Sequence, residues 1–257
     1  MNVTVIGVGS MGGAIVKGLI KAQQFKVSAM NPVNPRVSKQ ADQLGFRLVN
    51  KAEDVAGLKP DLVILTTPAP VTVAVAKQLT NLDRQTIIVS AAAGISHEQL
   101  SAALPHNIIA NIIPNTPVAV NAGTIGLALA EGTPGDARQT IMTVLQSLGD
   151  VITVPESQLD IIGVVGGCGP AFVDVMMDAM SDAAVKHGMK RQTAYQVIAS
   201  MVKGSGTLAC ASKLAPALLR DQVTSPGGTT IKGVEALEKA GFRFAVMDAI
   251  NKANGEK

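Results

Sequence analysis

Residues 223–234 read Val-Thr-Ser-Pro-Gly-Gly-Thr-Thr-Ile-Lys-Gly-Val. Ser225, Pro226, Gly227, Gly228, Thr229 and Thr230 bring only small or hydroxyl-bearing residues together, between Arg220-Asp221 and an apolar periodic run. Ser is a favoured N-cap and Pro fits the first helical position, so Ser225-Pro226 reads as a helix start. Glycine in a first turn costs about 1 kcal/mol relative to Ala. A bound anion could offset that cost, because a helix N-terminus has free N–H donors and a partial positive charge. The two threonine hydroxyls can donate or accept. The chemistry this suggests is a small-carboxylate pocket with a proton donor beside it; an ordinary capped turn between two helices fits the same residues.

A second constellation opens the chain. The β-branched run at residues 3–6 is followed by Gly7, Gly9 and Gly12 in G-x-G-x-x-G spacing and then by a helical pattern. In that context the pattern is a dinucleotide-binding fingerprint. Gly7 permits the tight turn, Gly9 lets the backbone approach a pyrophosphate, and Gly12 lets the helix pack closely on the strand. Ile6, Val8, Ser10 and Met11 complete this cradle. The second strand, residues 26–30, ends in Asn31, with Arg36 shortly after. A carboxylate there would bond the ribose hydroxyls of NAD and repel a 2′-phosphate. Asn and Arg would accept that phosphate, which predicts NADP, with NADPH preferred over NADH; Arg36 as a solvated surface charge is the alternative.

The elements that must position these groups alternate. Strands are expected at residues 47–49, 61–65, 86–90, 107–113, 124–129 and 150–154, and helices at 36–44, 71–79, 97–103 and 137–148. Strands alternating with helices imply parallel βαβ units, with ligands outside the carboxyl ends of the strands. The small residues that end these strands, Thr67-Pro68 and Ala91, Ala92 and Ala93 among them, therefore belong near the cofactor. From Pro155 onward only helical patterns appear: residues 155–165, 170–187, 191–212, 216–223, 229–240 and 242–253. The fold class is thus α/β, a Rossmann-type mainly parallel sheet in residues 1–154 followed by an all-helical domain in 155–257. The helix at 170–187 is apolar on most faces and reads as buried. A domain of about a hundred residues has little core to cover it, so a second subunit is expected to.

Composition narrows the function classes. The chain of 257 residues is 47% hydrophobic and 16% charged, enough for a substantial core. Aromatics are 2%, Trp is absent and the net charge is +3, which argues against stacked bases or a polyanion partner. The two cysteines, Cys168 and Cys210, make no disulfide framework, and each reads as a buried structural thiol. No signal peptide fits the start, and the longest uninterrupted apolar stretch, residues 161–173, is too short to span a bilayer. The chain reads as soluble and cytoplasmic. His97, His106 and His187 are scattered, and no His, Cys or carboxylate cluster offers a strong acid or a metal site.

Together these motifs resemble the pyrroline-5-carboxylate reductase family along nearly the whole chain. The matching segments are residues 6–13, 89–95 (Val-Ser-Ala-Ala-Ala-Gly-Ile), 113–117 (Ile-Pro-Asn-Thr-Pro), 167–172 (Gly-Cys-Gly-Pro-Ala-Phe) and, most specifically, 219–231 (Leu-Arg-Asp-Gln-Val-Thr-Ser-Pro-Gly-Gly-Thr-Thr-Ile). The resemblance implies reduction of a cyclic imine, 1-pyrroline-5-carboxylate, to L-proline with NAD(P)H. It implies a homodimer with interlocked C-terminal domains, in some members a larger ring of dimers, and a substrate pocket at the dimer interface. It places Ala91, Ala92, Ala93 and Asn115 near the nicotinamide, although Asn115 also fits as a turn residue between two prolines. Thr230 would bond the imine nitrogen, while Gly227, Gly228 and Thr229 would present N–H groups to the carboxylate. The chain departs from the family in having Thr67-Pro68 where Lys-Pro is usual, and Gly-Cys-Gly where Gly-Ser-Gly is usual. Rival readings are a β-hydroxyacid dehydrogenase, whose motif around a catalytic Lys is missing here, a deazaflavin-dependent NADP reductase, and a non-catalytic nucleotide sensor.

Overall fold

The computed structural model describes residues 1–255. By internal contacts the chain divides into two compact units, Met1–Gly167 and Cys168–Lys257.

The first unit is built on one eight-stranded sheet of order β3-β2-β1-β4-β5-β6-β7-β8. The strands are β1 (Asn2–Ile6), β2 (Lys26–Met30), β3 (Arg47–Val49), β4 (Leu62–Leu65), β5 (Ile87–Ser90), β6 (Ile109–Ile113), β7 (Gly123–Leu129) and β8 (Gly149–Thr153). Helices α1 (Ser10–Ala22), α2 (Pro35–Leu44), α3 (Ala69–Ala76), α4 (His97–Ala103) and α5 (Gly135–Gln146) connect them. Strands β1 to β6 are parallel; β7 runs antiparallel to β6, and β8 follows β7. The connection from β6 to β7 holds only the 3₁₀ turn Thr116–Val120, too short for a crossover, so the chain must reverse. Short 3₁₀ turns at Ala52–Asp54 and Ala56–Leu58 precede β4.

The central strands are apolar on both faces because both faces are covered. Val3, Val5, Leu62, Ile64, Ile87 and Val89 enter one core with Ile15, Leu19 and Ile141. Ile6, Val63, Leu65 and Ile88 enter the other with Leu79 and Leu100. The sheet unit continues past the expected boundary at residue 154, because Leu159 and Ile162 of the one-turn helix α6 (Leu159–Ile162) pack over Gly126 of β7. The expected helix at 155–165 is instead a 3₁₀ turn (Glu156–Gln158), α6, and a π-helical stretch (Gly163–Cys168).

The second unit comprises α7 (Gly169–Lys186), α8 (Arg191–Ser212), α9 (Pro216–Gln222), α10 (Thr229–Lys239) and α11 (Phe242–Ala253). Among its described residues only Ser181, Ala194 and Ile198 are buried. Arg191 ties α7 to α8 by donating to Ser181 Oγ at 2.8 Å and pairing with Asp182 at 2.7 Å. Within a single chain α7 is not enclosed: Val175 is 71% exposed, and Val173 and Met180 are also exposed. The segment Glu156–Lys186 even has the average apolarity and length of a bilayer-crossing helix, though Asp160, Asp174, Asp178 and Asp182 interrupt it. Cys168 and Cys210 are both exposed, which corrects their reading as buried thiols.

Candidate active site

The carboxyl ends of β1, β2 and β4 surround a cleft of about 1190 Å³ at the point where the strand order reverses. Gly7, Gly9, Ser10, Met11, Asn31, Thr67 and Pro68 all line it. Each glycine of the fingerprint has its own steric reason. Gly7 holds φ +92°, a region other residues enter only with strain. A Cβ on Gly12 would collide with the Gly7 carbonyl oxygen and stand 2.5 Å from Thr66 Oγ1. Gly9 caps α1, and a Cβ there would meet no protein atom within 4 Å. The space beside Gly9 is open to the cleft, so a ligand can approach the backbone there. The first-turn N–H groups of α1 have no partner within the helix and suit a pyrophosphate. On these grounds the cleft fits a dinucleotide.

The loop is braced from behind. Thr66 Oγ1 donates to the carbonyls of Ile6 at 3.0 Å and Gly7 at 2.6 Å. Val8, which is buried, donates its N–H to Asn31 Oδ1 at 2.9 Å, and Asn31 Nδ2 donates to the Pro32 carbonyl at 2.7 Å. Ile6, Val8 and Gly12 thus build the cradle without lining the cleft. Arg36 is also outside the lining; its Nη2 donates to the Val8 carbonyl at 3.1 Å. Asn50 and Lys51, directly after β3, do line the cleft, and Asn50 Nδ2 donates to the Asn31 carbonyl at 2.8 Å. Nothing marked them in advance except their place at a strand's carboxyl end.

The loop after β5 is a separate feature. Ala92 and Ala93 border a second cavity of about 350 Å³ with Asn111 and Glu156, while the Ala91 N–H is held by the Leu65 carbonyl at 2.8 Å. Asn115 is 6% exposed and engaged internally: Nδ2 donates to the Gly166 carbonyl at 2.9 Å and Oδ1 accepts the Thr124 N–H at 2.8 Å. The turn role open for it in the sequence is the one its bonds display.

In the second unit the expected helix start at Ser225 is corrected. Gly227 has φ +70° and the Gly228 N–H donates to the Ser225 carbonyl at 3.0 Å, which makes Ser225-Pro226-Gly227-Gly228 a Pro-Gly β-turn. Helix α10 starts at Thr229, with Gly228 as its cap. Pro-Gly favours the turn more strongly than Ser-Pro favours a helix start, because only glycine takes the positive φ at no steric cost. The free donors accordingly move from Gly228, whose N–H is taken, to Thr229 and Thr230 in the first turn. A Cβ on Gly228 would strike Ser225 Oγ, so the glycine is fixed by the turn. At the other end of α10 the Arg243 guanidinium, bonded at 2.6 Å, holds the Glu238 carboxyl below its ordinary value of about 4.5.

Comparison with known proteins covers both units. A family model for pyrroline-5-carboxylate reductase dimerisation matches residues 156–257, and one for NADP oxidoreductase, coenzyme F420-dependent, matches residues 2–94. The dimerisation match spans α7 to α11, whose apolar faces are bare in a single chain, and points to oligomerisation. Pyrroline-5-carboxylate reductase of Escherichia coli (strain K12) is 35% identical over 96% of this chain and 93% of its own length. That of Treponema pallidum (strain Nichols) is 32% identical over 98% of both. The solved structure of a pyrroline-5-carboxylate reductase from Coxiella burnetii superposes with a TM-score of 0.84 at 28% identity, covering 98% of this chain and 96% of that one. That of Plasmodium falciparum pyrroline carboxylate reductase, solved with NADP bound, shares the fold with a TM-score of 0.83 at 24% identity, covering 99% and 95%. Similarity of this extent, carried through the nucleotide cleft and the helical unit alike, makes the chain a member of the pyrroline-5-carboxylate reductase family.

Proposed function

We propose that the chain reduces 1-pyrroline-5-carboxylate to L-proline, using NADPH in preference to NADH. The observation that carries this reading is similarity to reductases of this name along 96% of the chain. When bound, NADPH would supply a hydride to the imine carbon, C2 of the pyrroline and C5 of the proline formed, and the ring nitrogen would take or already carry one proton. The protein's own work is positioning and charge stabilisation. Gly9, Ser10 and Met11 hold the pyrophosphate at the start of α1. Asn31, with Lys51 and the nearby Arg36, replaces the carboxylate that would repel a 2′-phosphate. Thr67 and Pro68 flank the cofactor, and Ala91, Ala92 and Ala93 line its nicotinamide end. Asn115 fixes the turn that follows β6.

The substrate side is the segment from Ser225 to Thr230, supplied by a second subunit. The N–H groups of Thr229 and Thr230 hold the carboxylate, and the Thr230 hydroxyl bonds the ring nitrogen; the Ser225–Gly228 turn presents them. Residues 1–154 serve as the nucleotide-binding part and 155–257 as the dimerisation and substrate-binding part. The C-terminal parts interlock in a homodimer, which can assemble into a ring of dimers. The setting is cytoplasmic, in keeping with two exposed free thiols. Steady-state oxidation of NADPH with pyrroline-5-carboxylate, compared with NADH and with hydroxyacid substrates, tests the reading. Turnover of hydroxyacids alone would overturn it, and a preference for NADH would overturn the cofactor choice.

A further inference from the structure

The loop that follows β5 is tied down by residues that belong to neither motif. Asn111 lies in β6 among Ile109, Ala110, Ile112 and Ile113, and is 5% exposed. Its Nδ2 donates to the Ile95 carbonyl at 2.8 Å and to Glu156 Oε1 at 3.1 Å. The same Oε1 accepts the His97 N–H at 2.7 Å. Turning the amide over would set its oxygen against two acceptors, so this orientation is the one the network allows. It leaves Asn111 Oδ1 buried without a partner, which costs stability that an apolar residue in the strand would not. The loop needs such ties. It backs onto the 350 Å³ cavity, with Ala92 to Ser96 on one side and Glu156 and Asp160 on the other, and Gly94 has φ +76°. Ala92 is buried and Ala91 and Ile95 pack against the two cores, while the polar contacts fix the part of the loop that borders the cavity.

We propose that Asn111 and Glu156 are positioning residues for hydride transfer: they hold the loop through Ile95 and His97 and so fix Ala91, Ala92 and Ala93 against the nicotinamide. This rests on the reading of that loop as the nicotinamide end of the reductase site. The test is single-turnover reduction of pyrroline-5-carboxylate at saturating NADPH, with NADPH affinity and melting temperature measured alongside, for Asn111→Ala, Glu156→Ala, Glu156→Gln and the double alanine variant. Asn111→Ala and Glu156→Ala should slow the hydride step about tenfold or more, since small misplacements cost up to about a hundredfold. NADPH affinity should stay within about twofold, because the pyrophosphate cradle is elsewhere. Glu156→Gln keeps an oxygen that accepts both bonds and should restore the rate; the double variant should be little slower than the slower single one. Glu156 is exposed, so its variants fold even where Asn111→Ala does not. Unchanged rates in folded variants, or a glutamine variant as slow as the alanine one, overturn the inference while an active wild type leaves the proposed function standing. A wild type without turnover overturns both.

Discussion

Gly9→Ala and Gly12→Ala separate what the cleft does for a ligand from what it does for the fold. A Cβ on Gly9 meets no protein atom within 4 Å, and the backbone there, φ −79° and ψ −152°, is open to any residue. The variant loses at most about 1 kcal/mol through a poorer cap, a shift in Tm of roughly 2–4 °C. The methyl group does enter the volume assigned to the pyrophosphate. Losing one charge-assisted hydrogen bond costs about 1.5–3 kcal/mol, so NADPH should bind about ten- to a hundredfold more weakly. Gly12→Ala is the reverse case. Its Cβ would strike the Gly7 carbonyl and crowd Thr66 Oγ1, which already holds Ile6 and Gly7. Overpacking of this kind costs about 1–3 kcal/mol, or roughly 2–12 °C in Tm, and α1 must shift, so NADPH affinity falls as well. Thermal melts and NADPH titrations on both variants decide the matter. Unaltered affinity in Gly9→Ala would refute the placement of the pyrophosphate, and an unaltered Tm in Gly12→Ala would refute the close approach of α1 to β1.

Thr230→Ala should lower turnover about ten- to a hundredfold with the fold intact; unchanged turnover removes Thr230 from the chemistry. Asn31→Asp keeps an acceptor for the Val8 N–H but adds a charge at the cleft. The ratio of kcat/KM for NADPH over NADH should fall by about tenfold or more, and an unmoved ratio would show that Asn31 does not face the 2′-phosphate. The wild type should sediment as a dimer or larger, and Val175→Asp, at a position 71% exposed in one chain, should release monomer because an unpaired carboxylate would be buried. A monomeric wild type, or a variant of unchanged size, would contradict oligomerisation through α7.

Where pattern and local chemistry agree, the sequence was a sufficient guide. Strands β2 and β3 and helices α4, α8 and α11 have the bounds their periodicity predicts. The fingerprint glycines sit where their steric roles require; of the expected cofactor residues, Gly7, Gly9, Ser10, Met11, Asn31, Thr67 and Pro68 line the cleft, whereas Ile6, Val8, Gly12, Arg36, Ala91, Ala92, Ala93 and Asn115 lie outside it. The failures have physical causes. The apolar pattern of β7 carries no direction, so its reversal against β6 was visible only in the short connection between them. The 3₁₀ turns are shorter than any helical period. Ser225-Pro226 carries a helix-start signal, but the following glycine can take a positive φ and turns the chain first. Arg36 has the right charge, yet its guanidinium is engaged by the Val8 carbonyl, while Lys51, paired with Glu53 at 3.3 Å, stands at the cleft unannounced. Asn111 and Glu156 lie far apart in sequence and meet only through the fold. The exposure of α7 and of both cysteines reflects a surface that a single chain does not cover.

The most direct measurement is isotope transfer. The purified protein is given NADPH carrying deuterium at both hydrogen positions of nicotinamide C4, so that either face delivers label, together with pyrroline-5-carboxylate, and the product is analysed by mass spectrometry and NMR. The reading predicts L-proline with one deuterium at C5, formed in step with NADP⁺. Consumption of NADPH without labelled proline, or no consumption by the folded oligomer, would contradict it.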